Sequence, residues 1–310
     1  MKIMFMGTPE ISATCLERLI ADGHDICAVV TREDKPRGRG NVMTPTPVKE
    51  LALAHSIPVY TPSTLRDGAF DDTLREHAPD LIAVVAYGKI LPKSIIDFPK
   101  YGCINLHVSL LPKYRGAAPM QRAIMEGESE TGVTVMYMNE GLDTGDIISV
   151  LKFPIEATDD FEAIHDRSAE RGSVLLSETI NDIFAGRAVR TPQDDTLATY
   201  AKKVEREDCK IDFSLSAERL DCMIRGVTPI PGAFAYLNGK MLKINRATPT
   251  KARGSAGEVV ALDDKGEGAI VIACGEGALR VTSVIPEGKG RMSAGDFIRG
   301  RKIKIGDILN

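Results

Sequence analysis

The sequence predicts an α/β protein in which a doubly wound sheet is followed by a small β-barrel, and three observations predict it. Over residues 1–187, strand-like and helix-like patterns alternate, the order of βα units joined by right-handed crossovers. Residues 81–86 are apolar throughout, as a central parallel strand covered on both faces should be. Beyond residue 206 the texture changes to short strands punctuated by glycines and turns, the pattern of a small barrel.

Each element has a local cause. Residues 2–6 form a first strand that turns at Gly7-Thr8-Pro9 into a helix over 8–21, with Pro9 suited to its first turn. No G-x-G-x-x-G follows that strand, so a dinucleotide site is not expected. Strands are predicted at 26–31 and 57–60, and helices at 48–55 and 69–77. Between them, residues 31–47 hold three prolines and two glycines, which exclude a regular element. Lys35, Arg37 and Arg39 make the tip of that loop positive. The alternatives there are a loop that closes on a phosphate backbone and a solvated surface loop, the latter favoured by the lack of an interleaved aromatic residue.

Further on, a helix is expected over 118–127 with Pro119 in its first turn, then strands at 132–138 and 147–153. Thr158 is expected to cap a long helix that keeps its period to Gly186, with Asp159 and Asp160 in the first turn. The polar stretch 188–206 reads as a linker between a first domain, 1–187, and a second, 207–310. That second domain opens with an amphipathic helix over 216–225. Strands follow at 233–237, 240–247, 257–261, 269–273 and 278–285, and Asn238-Gly239 marks a tight hairpin.

Composition sets the outer limits. The 310 residues are 43% hydrophobic and 26% charged, which is ordinary globular composition and enough chain for two domains. No apolar run nears the roughly 18 residues of a membrane helix. The first residues are a strand rather than a leader, which needs roughly 7–15 apolar residues. A cytoplasmic monomer is expected. Cys15, Cys27, Cys103, Cys209, Cys222 and Cys274 have no ligand spacing, so they read as small buried hydrophobes and no metal is expected. Charge divides unevenly: residues 1–205 hold 22 basic and 30 acidic residues, and residues 206–310 hold 17 and 13. The positive second part suits an anionic partner, with ordinary surface variation as the equal alternative.

The chemistry is placed at the end of the strand over 103–107. Alternation puts Asn105 and His107 on one face and Ile104 and Leu106 on the other. The strand runs into Ser109-Leu110-Leu111-Pro112, a hydroxyl, two exposed-looking leucines and a rigid proline. Such an apolar lip beside polar groups suits a flat ligand with one reactive polar atom, and strand carboxyl ends are where open α/β sheets bind ligands. Downstream, Gly141 and Gly145 bracket Leu142-Asp143-Thr144 and can aim a carboxylate inward, Asp143 or Asp146. Ser109 is not at a nucleophile elbow, so the set suits direct acyl transfer between two bound substrates. Asn105 and a protonated His107 would donate to a developing oxyanion, while Asp143 would orient the imidazole and raise its pKa. Singly, an Asn or His at a strand end is more often structural; the reading rests on their joint occurrence.

Asn105-Leu106-His107-Val108-Ser109-Leu110-Leu111-Pro112, Tyr114-Arg115-Gly116-Ala117-Ala118-Pro119 and Gly141-Leu142-Asp143-Thr144-Gly145-Asp146 resemble the formyltransferases that use 10-formyltetrahydrofolate. That resemblance implies a Rossmann-like formyltransferase fold followed by an OB-like barrel. It implies Asn105, His107 and Asp143 as the catalytic residues, and Ser109, Leu110, Leu111 and Pro112 as the folate-binding loop. One departure is Val108, where relatives usually carry Pro or Gly. Met6-Gly7-Thr8-Pro9, Pro36-Arg37-Gly38-Arg39-Gly40, Thr44-Pro45-Thr46-Pro47-Val48-Lys49 and Tyr200-Ala201-Lys202-Lys203 resemble the members that formylate methionine carried on initiator tRNA. On that resemblance the early loop, with Arg37 and Arg39, and the positive barrel bind tRNA, formyl-folate is the donor, and no metal takes part. The alternative is a relative that acts on an amino sugar or small nucleotide, or a formyl-folate hydrolase. Outside the family, a non-catalytic RNA-binding protein or an oxidoreductase would leave the Asn, His and Asp together unexplained.

Overall fold

A computed structural model of the chain describes residues 1–37, 41–66 and 68–310. In chain order the first elements are β1 (Lys2–Gly7), α1 (Glu10–Ala21), β2 (Asp25–Val30), β3 (Lys35–Arg37), β4 (Val42–Thr44), α2 (Pro47–Ala54) and β5 (Val59–Tyr60). Then come α3 (Asp71–His77), β6 (Leu81–Val85), α4 (Lys93–Ile96), β7 (Cys103–His107), β8 (Arg115–Gly116), α5 (Pro119–Met125), β9 (Glu130–Tyr137), β10 (Ile147–Pro154), α6 (Phe161–Phe184) and β11 (Tyr200–Ala201).

Seven strands form one sheet in the order β10-β9-β7-β6-β1-β2-β5. The pairs β1–β2, β1–β6, β6–β7 and β2–β5 are parallel, and β7–β9 is antiparallel. The apolar run in β6 explains its place: every residue from Leu81 to Val85 is buried, between β1 and β7. The strand order reverses between β1 and β6, and the crevice beyond their carboxyl ends is the place such sheets offer a ligand. Helix starts follow local chemistry. Thr46 caps α2 by accepting from the Lys49 N–H at 3.1 Å, with Pro47 in the first turn. At α6 the cap is Asp160, whose Oδ1 accepts from the Ala163 N–H at 3.0 Å, and not Thr158; the helix starts at Phe161.

One expectation fails outright. Residues 31–47 do contain regular structure: β3 and β4 pair antiparallel, with Lys35 opposite Thr44, Pro36 opposite Met43 and Arg37 opposite Val42. A two-stranded ribbon has outward-facing backbone on both strands, so Pro36 is tolerated where a central strand would reject it. Arg39 lies outside the described residues.

The chain divides into two compact units that do not follow a single cut. The first holds residues 1–116, 131–153 and 165–201; the second holds 117–130, 154–164 and 202–310. Much of the stretch expected to be a linker therefore belongs to the first unit.

The second unit adds α7 (Ala217–Val227), β12 (Ala233–Leu237), β13 (Lys240–Thr250), β14 (Val259–Asp263), β15 (Ala269–Ala273), β16 (Ala278–Pro286), β17 (Met292–Ser293) and α8 (Ala294–Arg299). Its sheet runs β12-β13-β16-β15-β14, with every pair on that path antiparallel. The Asn238-Gly239 turn joins β12 to β13 with both residues at positive φ, as a two-residue hairpin of this twist requires. The two edge strands are joined through the last residues: Asn310 exchanges hydrogen bonds with Tyr236, and Leu309 donates to the Gly257 carbonyl at 2.9 Å. Leu220, Ile244, Leu279, Phe297 and Leu309 belong to the apolar core of this unit. Gly226 of α7 packs on α5 so closely that a Cβ there would lie 2.9 Å from the Gln121 carbonyl.

Candidate active site

β7 carries Asn105 and His107 on one face, separated by two residues of strand or roughly 7 Å. His107 is 5% exposed and Asn105 is half-buried. Among the described residues the Asn105 side-chain amide has no hydrogen-bond partner, and it is not sealed from solvent.

The imidazole lies between two acceptors. Its Nε2 is 3.0 Å from the Tyr114 carbonyl, which can only accept, so Nε2 carries a proton. Its Nδ1 is 3.6 Å from Asp143 Oδ2, beyond hydrogen-bond length but well within electrostatic reach. Burial pushes the His107 pKa down from its ordinary value; the Asp143 carboxylate and the Tyr114 carbonyl oppose that shift without reversing it. Asp143 thus acts in the expected direction and raises the pKa, while desolvation is the larger influence and leaves the net shift downward. The Tyr114 carbonyl and the Asp143 carboxylate flank the ring and would stabilise its charged form.

Of the two carboxylates considered, Asp143 faces the ring. Its backbone is left-handed, with φ of 53°, an unfavourable conformation for a residue with a side chain. The carboxylate accepts from the Gly116 N–H at 2.8 Å. Gly145 permits the turn to close, because a Cβ there would collide with the Tyr137 carbonyl. Asp146 carries the chain onward, its carbonyl accepting from the Tyr137 N–H.

The loop after β7 is more closed than its sequence suggests. Ser109 is fully buried and its hydroxyl donates to the Lys113 carbonyl at 2.7 Å, so it fastens the loop to itself. Thr134 Oγ1 donates to the Ser109 carbonyl and accepts from the Leu111 N–H. Leu111 is 7% exposed, contrary to the two exposed-looking leucines expected; Leu110 and Pro112 are half-buried. Arg37 ends β3, and its side chain lies outside what is described.

Sequence reasoning missed four contributors. Tyr114 and Gly116 act through main-chain groups, which no side-chain pattern reveals. Arg115 is 2% exposed; its Nη2 donates to Gln193 Oε1 and Asp195 Oδ1, both at 2.8 Å. Gln193 Nε2 in turn donates to the carbonyls of Asp143 at 2.9 Å and Gly145 at 2.7 Å. The only sequence signal for Arg115 was its place within the Tyr114–Pro119 motif.

Comparison with known proteins fixes the family. A "Formyl transferase" family model matches residues 1–180, and a "Formyl transferase, C-terminal domain" model matches residues 203–302. The chain belongs to the formyl transferase family. Among relatives of this formyl transferase, one from Geotalea uraniireducens named methionyl-tRNA formyltransferase is 46% identical over 309 residues, covering 100% of this chain and 98% of that one. One of the same name from Bacillus subtilis is 46% identical over 313 residues, covering 99% and 97%. Solved structures share the fold at lower identity. HypX from Aquifex aeolicus, in complex with tetrahydrofolic acid, superposes with a TM-score of 0.65 at 20% identity over 97% of this chain. This chain spans about half of that protein, 47% of its length. An N-formyltransferase from Helicobacter canadensis, in complex with folinic acid and dTDP-3-aminofucose, gives 0.66 at 19% identity, covering 91% of this chain and 98% of that one. Among the described residues of this formyl transferase, no group of three or more His, Cys, Asp or Glu is arranged to hold a metal ion, and no helix is long and apolar enough to cross a membrane.

Proposed function

We propose that the chain transfers the formyl group of 10-formyltetrahydrofolate to the α-amino group of methionine on initiator tRNA. The observation that carries this reading is the buried His107–Asp143 pair beside the unpartnered Asn105 amide, in a chain whose full-length relatives bear the name methionyl-tRNA formyltransferase. The neutral amine attacks the formyl carbon. The Asn105 N–H donates to the oxyanion that forms, the kind of contact that is strongest in the transition state. His107 Nδ1, which makes no hydrogen bond at rest, takes the proton that the amine loses. The resulting imidazolium lies between the Asp143 carboxylate and the Tyr114 carbonyl, and both stabilise it. It can return that proton to the folate nitrogen as the carbon–nitrogen bond breaks and tetrahydrofolate leaves. No covalent enzyme intermediate is needed.

The donor is placed beside the 109–112 loop, where Leu110 and Pro112 supply apolar surface and Ser109 keeps the loop's shape rather than touching the ligand. Arg37 and Arg39, in the basic stretch of residues 31–47, are assigned to the tRNA, and the net positive residues 206–310 suit the same polyanion. Affinity for tRNA then falls as salt rises.

The test is a formyl-transfer assay with three acceptors: methionine-charged initiator tRNA, methionine-charged elongator tRNA and free methionine. Rapid formylation of the first alone is expected. Equal use of free methionine, or transfer only to an amino sugar nucleotide, would reject the assignment.

A further inference from the structure

Residues 181–202 lie between the two family matches, and 188–206 read from sequence as a linker. Part of this segment is nevertheless bonded to the residues that hold the reacting groups. Tyr114 and Gly116 grip the pair from the main chain, the first through His107 Nε2 and the second through Asp143 Oδ2. The connector grips these residues in turn. Thr199 Oγ1 accepts from the Tyr114 N–H at 2.9 Å, the Thr199 carbonyl accepts from the Arg115 N–H at 2.8 Å, and β11 runs parallel to β8.

Gln193 completes the arrangement from the other side. A guanidinium only donates and a carbonyl only accepts, so the Gln193 amide has one possible orientation. Its oxygen faces Arg115 Nε at 3.1 Å and Nη2 at 2.8 Å; its nitrogen donates to two carbonyls of the 141–146 turn, those of Asp143 and Gly145. The first is the carbonyl of the left-handed residue 143 itself and the second lies two residues on. Asn139 Oδ1 braces the turn from within, accepting from the Gly141 N–H at 3.0 Å and the Thr144 hydroxyl at 2.8 Å. Gln193 supplies donors to its outward carbonyls, which helps keep Asp143 in a costly backbone conformation.

We propose that Gln193, oriented by the buried Arg115, is a positioning residue that holds the Asp143 turn against His107, so that the connector is part of the active site. This rests on the catalytic role proposed above for Asp143. The pair stands at the distance where a displacement of about 1 Å can cost about 10²-fold in rate.

The experiment uses the full chain carrying Gln193→Glu or Gln193→Met, with 10-formyltetrahydrofolate and methionine-charged initiator tRNA. Glu keeps acceptors for Arg115 but has no N–H for the turn; Met removes both, and the half-buried position accommodates either. Both variants are expected to lose about 10- to 100-fold in kcat, with KM for both substrates within about twofold and melting temperature near wild type. In an Asp143→Ala background the same changes should cost little further, because there is no carboxylate left to position. If Asp143→Ala is impaired and Gln193→Glu costs as much there as in wild type, positioning is overturned while the catalytic reading stands. Wild-type kcat in both Gln193 variants overturns it as well. If Asp143→Ala itself turns over like wild type, the catalytic reading fails first and the positioning role falls with it.

Discussion

The two sheets of this protein finish their strands in contrasting ways. In the parallel sheet, the chain leaves β6 through Ala86 at φ of 45°, passes Tyr114 at 60° after β7, and turns at Asp143 at 53° after β9. Each such residue costs on the order of 1 kcal/mol or more; Tyr114 is bonded to Thr199 and His107, and Asp143 to Gly116 and Gln193. In the C-terminal sheet a positive φ serves a plain turn instead: Asn238, at 51°, closes the hairpin between β12 and β13. The edges are paired to residues 307–310, and an apolar core fills the interior. The contrast teaches where rigidity is spent: polar bracing holds a few side chains in costly positions for chemistry, while apolar packing and edge pairing suffice for shape.

Four experiments break or sharpen that contrast. The largest effect is expected from His107→Ala, which should lower turnover by roughly 10²–10³ and leave the melting temperature nearly unchanged; wild-type-like formylation would remove His107 from the mechanism. Leu309→Ala should do the reverse, lowering the unfolding free energy by about 2–4 kcal/mol with kcat per folded molecule intact, as measured by denaturant titration beside the assay. Arg39→Ala should weaken use of tRNA by about tenfold and flatten its salt dependence by about one charge, while KM for the folate stays put; a change in folate KM alone would misplace the hairpin. The smallest effect is in the pH profile. Burial lowers the His107 pKa, so the ring is protonated only at pH values below the usual histidine range of about 6.5. The base form is therefore present through neutral pH, and the acid limb of kcat should fall below about 6.5; a limb above about 7 would mean that Asp143 outweighs burial.

Much of the fold was legible because hydrophobic periodicity is local. The run at Leu81–Val85 gave away a central strand, and Asn238-Gly239 gave away a hairpin. Asn105, His107 and the glycine-bracketed Asp143 were also readable, since each is a polar residue at a place where chain direction changes. Other features were hidden for physical reasons. Pro36 argued against a strand, but a two-stranded ribbon leaves half its backbone unpaired and accepts it. Leu111 looked exposed because nothing in sequence says that Ser109 and Thr134 would fold the loop inward. Gln193 is 78 residues from Arg115 and 50 from Asp143, in a polar stretch typical of connectors. No pattern with a period of two or 3.6 spans such distances.

Asn105 has a consequence for inhibitor chemistry. Among the described residues its amide is bonded to no protein group, in contrast to the neighbouring imidazole and carboxylate. A compound that presents a sulfonyl, phosphoryl or hydrated carbonyl oxygen there would displace solvent only and would break no internal contact. Such an oxygen mimics the tetrahedral stage of the proposed reaction, so on that mechanism the handle open to a drug is the same one that distinguishes transition state from substrate.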